Sequence, residues 1–175
     1  MLYFAYGSNL LTPRLTARCA SARVIGTARL EGYRMAIAKE SWRDRSGKAT
    51  ILAGGGTTHG VLFDIAADEI PALDQIEGVG KGYDRLEGAL VAMAGDTVTA
   101  VTYVATEPRP GLMPYDWYLA LILAGAQEHG LPAVATALRT QPYSPDPDRN
   151  RPGRLAAVRA LADAGHHDWR ALLPG

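Results

Sequence analysis

Residues 1–10, MLYFAYGSNL, carry the reading on which the rest of the chain depends. Leu2 and Phe4 alternate with Tyr3 and Ala5, the two-residue period of a strand, and Tyr6 carries the run to Gly7. A strand ending in Gly7-Ser8-Asn9 leaves its sheet through a tight turn. Gly7 permits positive φ, and Ser8 and Asn9 can bond neighbouring backbone groups instead of a ladder partner. Such a turn points several N–H groups at one place, which suits an anion. Two readings stand side by side. Ser8 or Asn9 caps the next segment, or the turn is a backbone nest, helped by Ser8, for a carboxylate or a developing oxyanion.

Composition narrows the field around that turn. With 175 residues, 47% apolar and 21% charged, the chain is long enough for one domain with a real core. Its 18 basic and 18 acidic residues cancel, so it lacks the basic excess of a nucleic-acid or anionic-membrane binder. No apolar run approaches the roughly 20 residues of a spanning helix. The N-terminus does not read as a signal peptide. Cys19 is the single cysteine, which excludes an internal disulfide and favours a reducing compartment, so a cytoplasmic location is expected. As a lone cysteine it reads as a small buried residue rather than a nucleophile. His59, His129 and the His166-His167 pair show no ligand spacing, and no metal is expected.

Further along, Thr12-Pro13 reads as an N-cap with a first-turn proline, opening a short helix through Arg18. Strands are expected at 23–30 and 33–39, parted at Glu31-Gly32 by a hairpin or a bend. Residues 40–48 read as a loop, ATILA (49–53) as a strand, Gly54-Gly55-Gly56-Thr57-Thr58 as a flexible turn and HGVLFDI (59–65) as the next strand. Asp68 can cap a helix bearing Ile70, Leu73 and Ile76, with Glu77 in its last turn and Gly78 as its stop. Strands at 83–93 and 97–104 flank Ala94-Gly95-Asp96. Beyond Pro114 the chain turns helical, at 117–130, 132–139 and 154–165, with a loop at 141–153. Strands first and helices later point to an α+β fold with a small mixed or antiparallel β-barrel and flanking helices. The glycine triplet lacks the Lys-Ser/Thr of a P-loop and the spacing of a dinucleotide fingerprint.

A second stretch carries chemistry: LDQIEGVGKGY, residues 73–83. A glutamate in the last turn of a helix faces the negative end of the macrodipole, and cover by Ile76 and Val79 would disfavour the anion further. Both effects make Glu77 a better proton acceptor for an amine than a solvated glutamate near ~4.3. Asp74, its helical neighbour, is the weaker candidate, and a solvated helix-end glutamate is the plain alternative.

FAYGSNLL (4–11), followed by a glutamate in the setting LDQIEGVGKGY, resembles the γ-glutamylcyclotransferase family. ARLEGYRM (28–35), ATI (49–51), HGVLFDI, Tyr118 and GAQEHGLP (125–132) match the family's order of segments, so the resemblance spans residues 2–141. That stretch is expected to form the family's domain, with 142–175 a loop and helix appended to it. The resemblance implies a carbon–nitrogen lyase that cyclises a γ-glutamyl amide to 5-oxoproline and frees an amine, as in glutathione metabolism. No cofactor is required. It places Glu77 as the catalytic general acid/base and Tyr3, Phe4, Ala5, Tyr6, Gly7, Ser8 and Asn9 along the bound substrate. Tyr83 and Tyr118 stand where the family has pocket tyrosines. The expected partner is a small γ-glutamyl substrate, with neither nucleic acid nor membrane, and a homodimer is compatible with the reading. Rival readings are a non-catalytic module of the same fold that senses a small acid, and a cyclotransferase that deprotects a γ-glutamylated biosynthetic intermediate. The chain departs from the family at residues 42–48 and beyond Pro142. Trp42, Arg43 and Arg45 in the loop, and Pro145 to Asp148 in the tail, are therefore the expected sources of leaving-group selectivity.

Overall fold

A computed structural model describes residues 1–175. In chain order the elements are β1 (Leu2–Ala5), a 3₁₀ turn (Ser8–Leu10), α1 (Thr12–Thr16), β2 (Arg23–Glu40) and β3 (Gly47–Asp64). A second 3₁₀ turn (Ala67–Glu69) leads into α2 (Ile70–Glu77), followed by β4 (Tyr83–Met93) and β5 (Asp96–Ala105). The helices α3 (Asp116–Glu128), α4 (Pro132–Leu138) and α5 (Pro152–Asp163) and a last turn (Trp169–Leu172) complete the chain. The five strands close a barrel in the order β1-β3-β2-β4-β5. Four pairings are antiparallel, and β1 closes the ring by lying parallel to β5 at Tyr3 and Val101. The fold is thus α+β with a mixed barrel, the arrangement expected from the order of strands and helices.

The long β2–β3 pair departs from the expected pattern. The two strands foreseen on either side of Glu31-Gly32 are one 18-residue strand, and ATILA and HGVLFDI are likewise one. The ladder pairs Glu31 with Thr57 and Tyr33 with Ala53, so Gly32 on one strand faces the glycine triplet on the other. All four of these glycines have positive φ. They form an irregularity that bends both strands together, which a barrel of this size requires, rather than a turn that ends them. Two helix starts also differ. Neither Thr12 nor Asp68 supplies a side-chain cap, because Leu11 and Glu69 occupy those positions.

The core fills from both sides of the barrel wall. Phe4, Leu62, Phe63 and Ile51 are fully buried, as is the stretch Leu119–Ile122 of α3. That helix is apolar almost all round, and its residues 116–126 are all buried. It lies directly on the 3₁₀ turn of residues 8–10. A Cβ on Gly125 would come within 2.5–2.6 Å of Leu10 and Leu11, so only glycine admits this approach. The tail closes over the other side of α3, with Ala157, Leu161 and Trp169 joining the same core. No helix is long and apolar enough to cross a membrane.

Candidate active site

Where β1 leaves the barrel, a small cavity of about 30 Å³ opens. Tyr3, Tyr6, Gly7, Ser8, Asn9, Ala49, Glu77, Tyr83, Tyr103 and Tyr118 line it. The turn after β1 supplies one wall. Its first internal bond runs from the Leu10 N–H to the Gly7 carbonyl, so the N–H groups of Ser8 and Asn9 have no acceptor inside the turn. Gly7 is here for space and not for its backbone angle: its φ is −109°, an ordinary value. A Cβ would stand 3.2 Å from the Ala49 Cβ and 3.6 Å from the Tyr118 hydroxyl. The positive φ that glycine permits is not used at Gly7.

Glu77 enters from α2, seven residues after Ile70 and four after Leu73, both fully inward. At 3.6 residues per turn this spacing sets all three on one helix face. Ile76 trails that face by the drift of three-residue steps and is 36% exposed, as Val79 is 38% exposed. The apolar cover expected over Glu77 is therefore absent, and a cation stands there instead. Arg18 Nη1 donates to Glu77 Oε1 at 2.7 Å and to Asn9 Oδ1 at 2.9 Å. Asn9 Nδ2 donates to the same Oε1 at 3.1 Å and to the Tyr3 hydroxyl at 2.9 Å. Glu77 Oε2 accepts no bond from the protein and is left to the cavity. Gly78, in the left-handed region at φ 75°, ends the helix immediately beyond.

The tyrosines brace the opposite wall through the backbone of one residue. Ala49 donates its N–H to the Tyr118 hydroxyl at 2.9 Å and accepts from the Tyr83 hydroxyl at 2.6 Å. Tyr6 donates to the Tyr103 carbonyl, and Tyr103 donates to Asp74 at 2.8 Å. Burial holds all five cavity phenols above their ordinary range, Tyr118 at about 12, with the Glu77 charge adding to the effect. Asp74 is engaged elsewhere, with Arg85 Nη1 at 2.7 Å. It is not among the cavity-lining residues.

Of the residues expected along the substrate, Phe4 and Ala5 do not reach the cavity. Strand alternation turns the Phe4 ring the other way, fully buried over Gly60, while Ala5 is packed against the same glycine. Residues 142–175 contribute little: Asp146 holds Trp117 Nε1 at 2.9 Å and Arg151 Nε at 2.8 Å, so its anion is spent inside the fold. Trp42 and Arg43 stand at the mouth of a second, outer cavity, with the Arg43 guanidinium 4.9 Å from the Trp42 ring centroid. The outer cavity shares Ser8, Glu77, Tyr83 and Tyr118 with the inner one. Arg14, Arg18, Lys39 and Tyr103 escaped the sequence reading. Arg14 and Arg18, four residues apart after the turn, were the available signal. Cys19 is fully buried, and no group of three or more His, Cys, Asp or Glu side chains is placed to hold a metal.

Comparison with known proteins follows this geometry. The model of the AIG2-like family matches residues 57–134, the segment carrying Glu77, Tyr83 and Tyr118. Human γ-glutamylcyclotransferase is 36% identical over 139 residues, covering 75% of this chain and 72% of the human protein. The mouse protein of the same name is 37% identical over the same coverage. A solved structure described as a γ-glutamyl cyclotransferase superposes with a TM-score of 0.80 at 29% identity, over 91% of this chain and 98% of that one. A shared barrel, a shared chain order and this level of identity over most of both sequences have one explanation: the chain belongs to the γ-glutamylcyclotransferase family.

Proposed function

We propose that the protein is a γ-glutamylcyclotransferase in which Glu77 is the general acid/base and the turn of residues 6–9 cradles the substrate. The observation that carries the reading is the state of Glu77. One oxygen is fixed by Arg18 and Asn9, and the other is unbonded at a cavity walled by backbone donors and phenols.

The α-amine of a γ-glutamyl amide attacks its own γ-carbonyl carbon. A carbon–nitrogen bond forms, closing a five-membered lactam, and the bond to the departing nitrogen breaks. Glu77 Oε2 takes the proton released by the attacking amine and returns it to the departing amine, so no water is consumed and charge balances. Because the nucleophile is tethered to its target, the protein needs chiefly to hold the chain curled. Effective molarities of roughly 10⁵ M and above are available from such proximity. The Ser8 and Asn9 N–H groups meet the carbonyl oxygen as it becomes an oxyanion, in a low-dielectric site where fixed donors count most. Arg18 keeps the carboxylate of Glu77 in one orientation through both proton transfers.

The test is direct. The protein is incubated with a panel of γ-glutamyl amino acids and γ-glutamyl amines, and 5-oxoproline is sought by mass spectrometry. Stoichiometric 5-oxoproline and free amine are expected. Tight binding of these compounds without product would favour the non-catalytic sensing module instead.

A further inference from the structure

The outer cavity has an unbalanced set of charges. Arg14, Arg18, Lys39, Arg43 and Lys48 line it, against Asp44 and Glu77. Two of the cations are matched: Arg18 by Glu77 at 2.7 Å, and Lys48 by Asp44 at 3.2 Å. Arg43 is exposed and stacks on Trp42 at the rim. Arg14 and Lys39 remain, at 9% and 6% exposure, and neither has an acidic partner. Arg14 has one weak contact, from Nε to Ser8 Oγ at 3.3 Å. Lys39 has neither a hydrogen bond nor an ion pair. Its ammonium lies 5.2 Å from the Tyr83 ring centroid, and its tip fits against Gly82, where a Cβ would stand within 2.8 Å of Nζ. Its stem is covered, but the ammonium itself reaches the open space where two cavities meet and has no bonded partner there, so it is free to take one from a ligand.

The two cations sit at opposite ends of the site. Arg14 touches Ser8, in the wall of the inner cavity, and so stands beside the γ-glutamyl half. Lys39 lies beyond Tyr83, where the outer cavity meets a further groove lined by Glu40, Ser41, Trp42, Lys81 and Arg109. With the γ-glutamyl half in the inner cavity, the departing amine extends past Glu77 toward Lys39. We propose that Lys39 is a specificity-determining residue that binds a carboxylate carried by the departing amine. It makes the enzyme select γ-glutamyl amides of amino acids and peptides over those of uncharged or cationic amines. The assignment rests on the cyclotransferase reading above and adds the subsite that this reading leaves open. Its origin is local: Lys39, next to last in the long β2 strand, pairs with Lys48, and Asp44 is bonded only to the second of the two.

The experiment uses matched substrates that differ only in the carboxylate, γ-glutamyl-alanine and γ-glutamyl-ethylamide, with γ-glutamyl-putrescine as a cationic third. The readout is the ratio of kcat/KM between them in the wild type, Lys39→Met and Lys39→Gln, with a thermal melt of each. The wild type should favour the alanine substrate over the ethylamide by roughly ten- to a hundredfold, the worth of one charge-assisted hydrogen bond. Both variants should bring that ratio to within about threefold of unity, chiefly through KM for the alanine substrate. A ratio unchanged in well-folded variants overturns the assignment, as does an equal fall on both substrates. If the wild type yields 5-oxoproline from none of the three, the cyclotransferase reading itself fails. A wild type that turns over all three at similar rates overturns the Lys39 subsite alone.

Discussion

Arg18 Nη1 and Glu77 Oε1 meet at 2.7 Å, and Asn9 bonds to both, so that a residue just after the first helix fixes one from the second. Both side chains are 18% exposed, which places the pair at the edge of water and not deep in the core. The arrangement immobilises one carboxylate oxygen and leaves the other to the cavity.

Replacing Glu77 by Gln keeps the shape and removes the proposed base. The expected result is a protein that melts like the wild type and loses roughly 10²–10⁴ in kcat, with KM changed far less. The measurement is initial-rate release of 5-oxoproline. A loss of only a few-fold would move the base to another residue.

In the proposed mechanism Arg18 acts through Glu77, as a positioning residue. Arg18→Ala should lower kcat by about ten- to a hundredfold, because the carboxylate is free to rotate and Asn9 loses its second tie. Arg18→Lys restores charge but lacks the rigid guanidinium plane that holds Nη1 against both Asn9 and Glu77, so it should recover only part of the rate. Full recovery by lysine would mean that charge alone matters.

Gly7→Ala presses a methyl group to 3.2 Å from the Ala49 Cβ, on the residue whose backbone bonds Tyr83 and Tyr118. Since neither strand nor turn can shift without disturbing the other, turnover should fall at least about tenfold. The melting temperature should drop by only a few degrees. Ser8→Ala should be milder, because the proposed cradle relies on backbone N–H groups.

Burial raises the five cavity phenols, so the folded state holds their protons more tightly than the unfolded chain does. Their contribution is fully present below about pH 10, the ordinary tyrosine value, and is lost as pH rises through the folded values. For Tyr118, with a folded value of about 12, the loss over that window is about 2–3 kcal/mol. Phenolate absorbance of these tyrosines should therefore appear together with loss of the circular-dichroism signal above pH 10. Ionisation of all five in a fully folded protein would contradict this.

Asp146 is a clasp between the tail and α3, with its side chain fully buried against Trp117 and Arg151. Asp146→Ala should cost about 3 kcal/mol in denaturant unfolding, since it leaves the indole N–H and the guanidinium without their acceptor. The ranking of substrates should stay the same, in contrast to the selectivity that the tail's composition suggested.

Most of the residues that gather at the cavity were legible in local sequence because their placement depends on short-range geometry. Tyr6 to Asn9 sit on one turn, and Glu77 falls on the inward face of α2 through spacing from Ile70 and Leu73 that can be counted along the chain. Strand and helix positions followed for the same reason, since apolar periodicity is a property of neighbours. Local rules failed where long-range pairing decided the outcome. Gly54 to Gly56 would make a turn in isolation, but β2 supplies ladder partners on both sides of them, and barrel closure turns the break into a bend. Ile76 and Val79 could not be known to lie open, nor Arg18 to stand over Glu77, because both facts depend on how α1 and α2 pack across the end of the barrel. The bare ammonium of Lys39 is of the same kind. A sequence shows a lysine near the end of a strand, but only the folded chain decides that its stem is covered while its ammonium, without an ion pair, opens on the cavity.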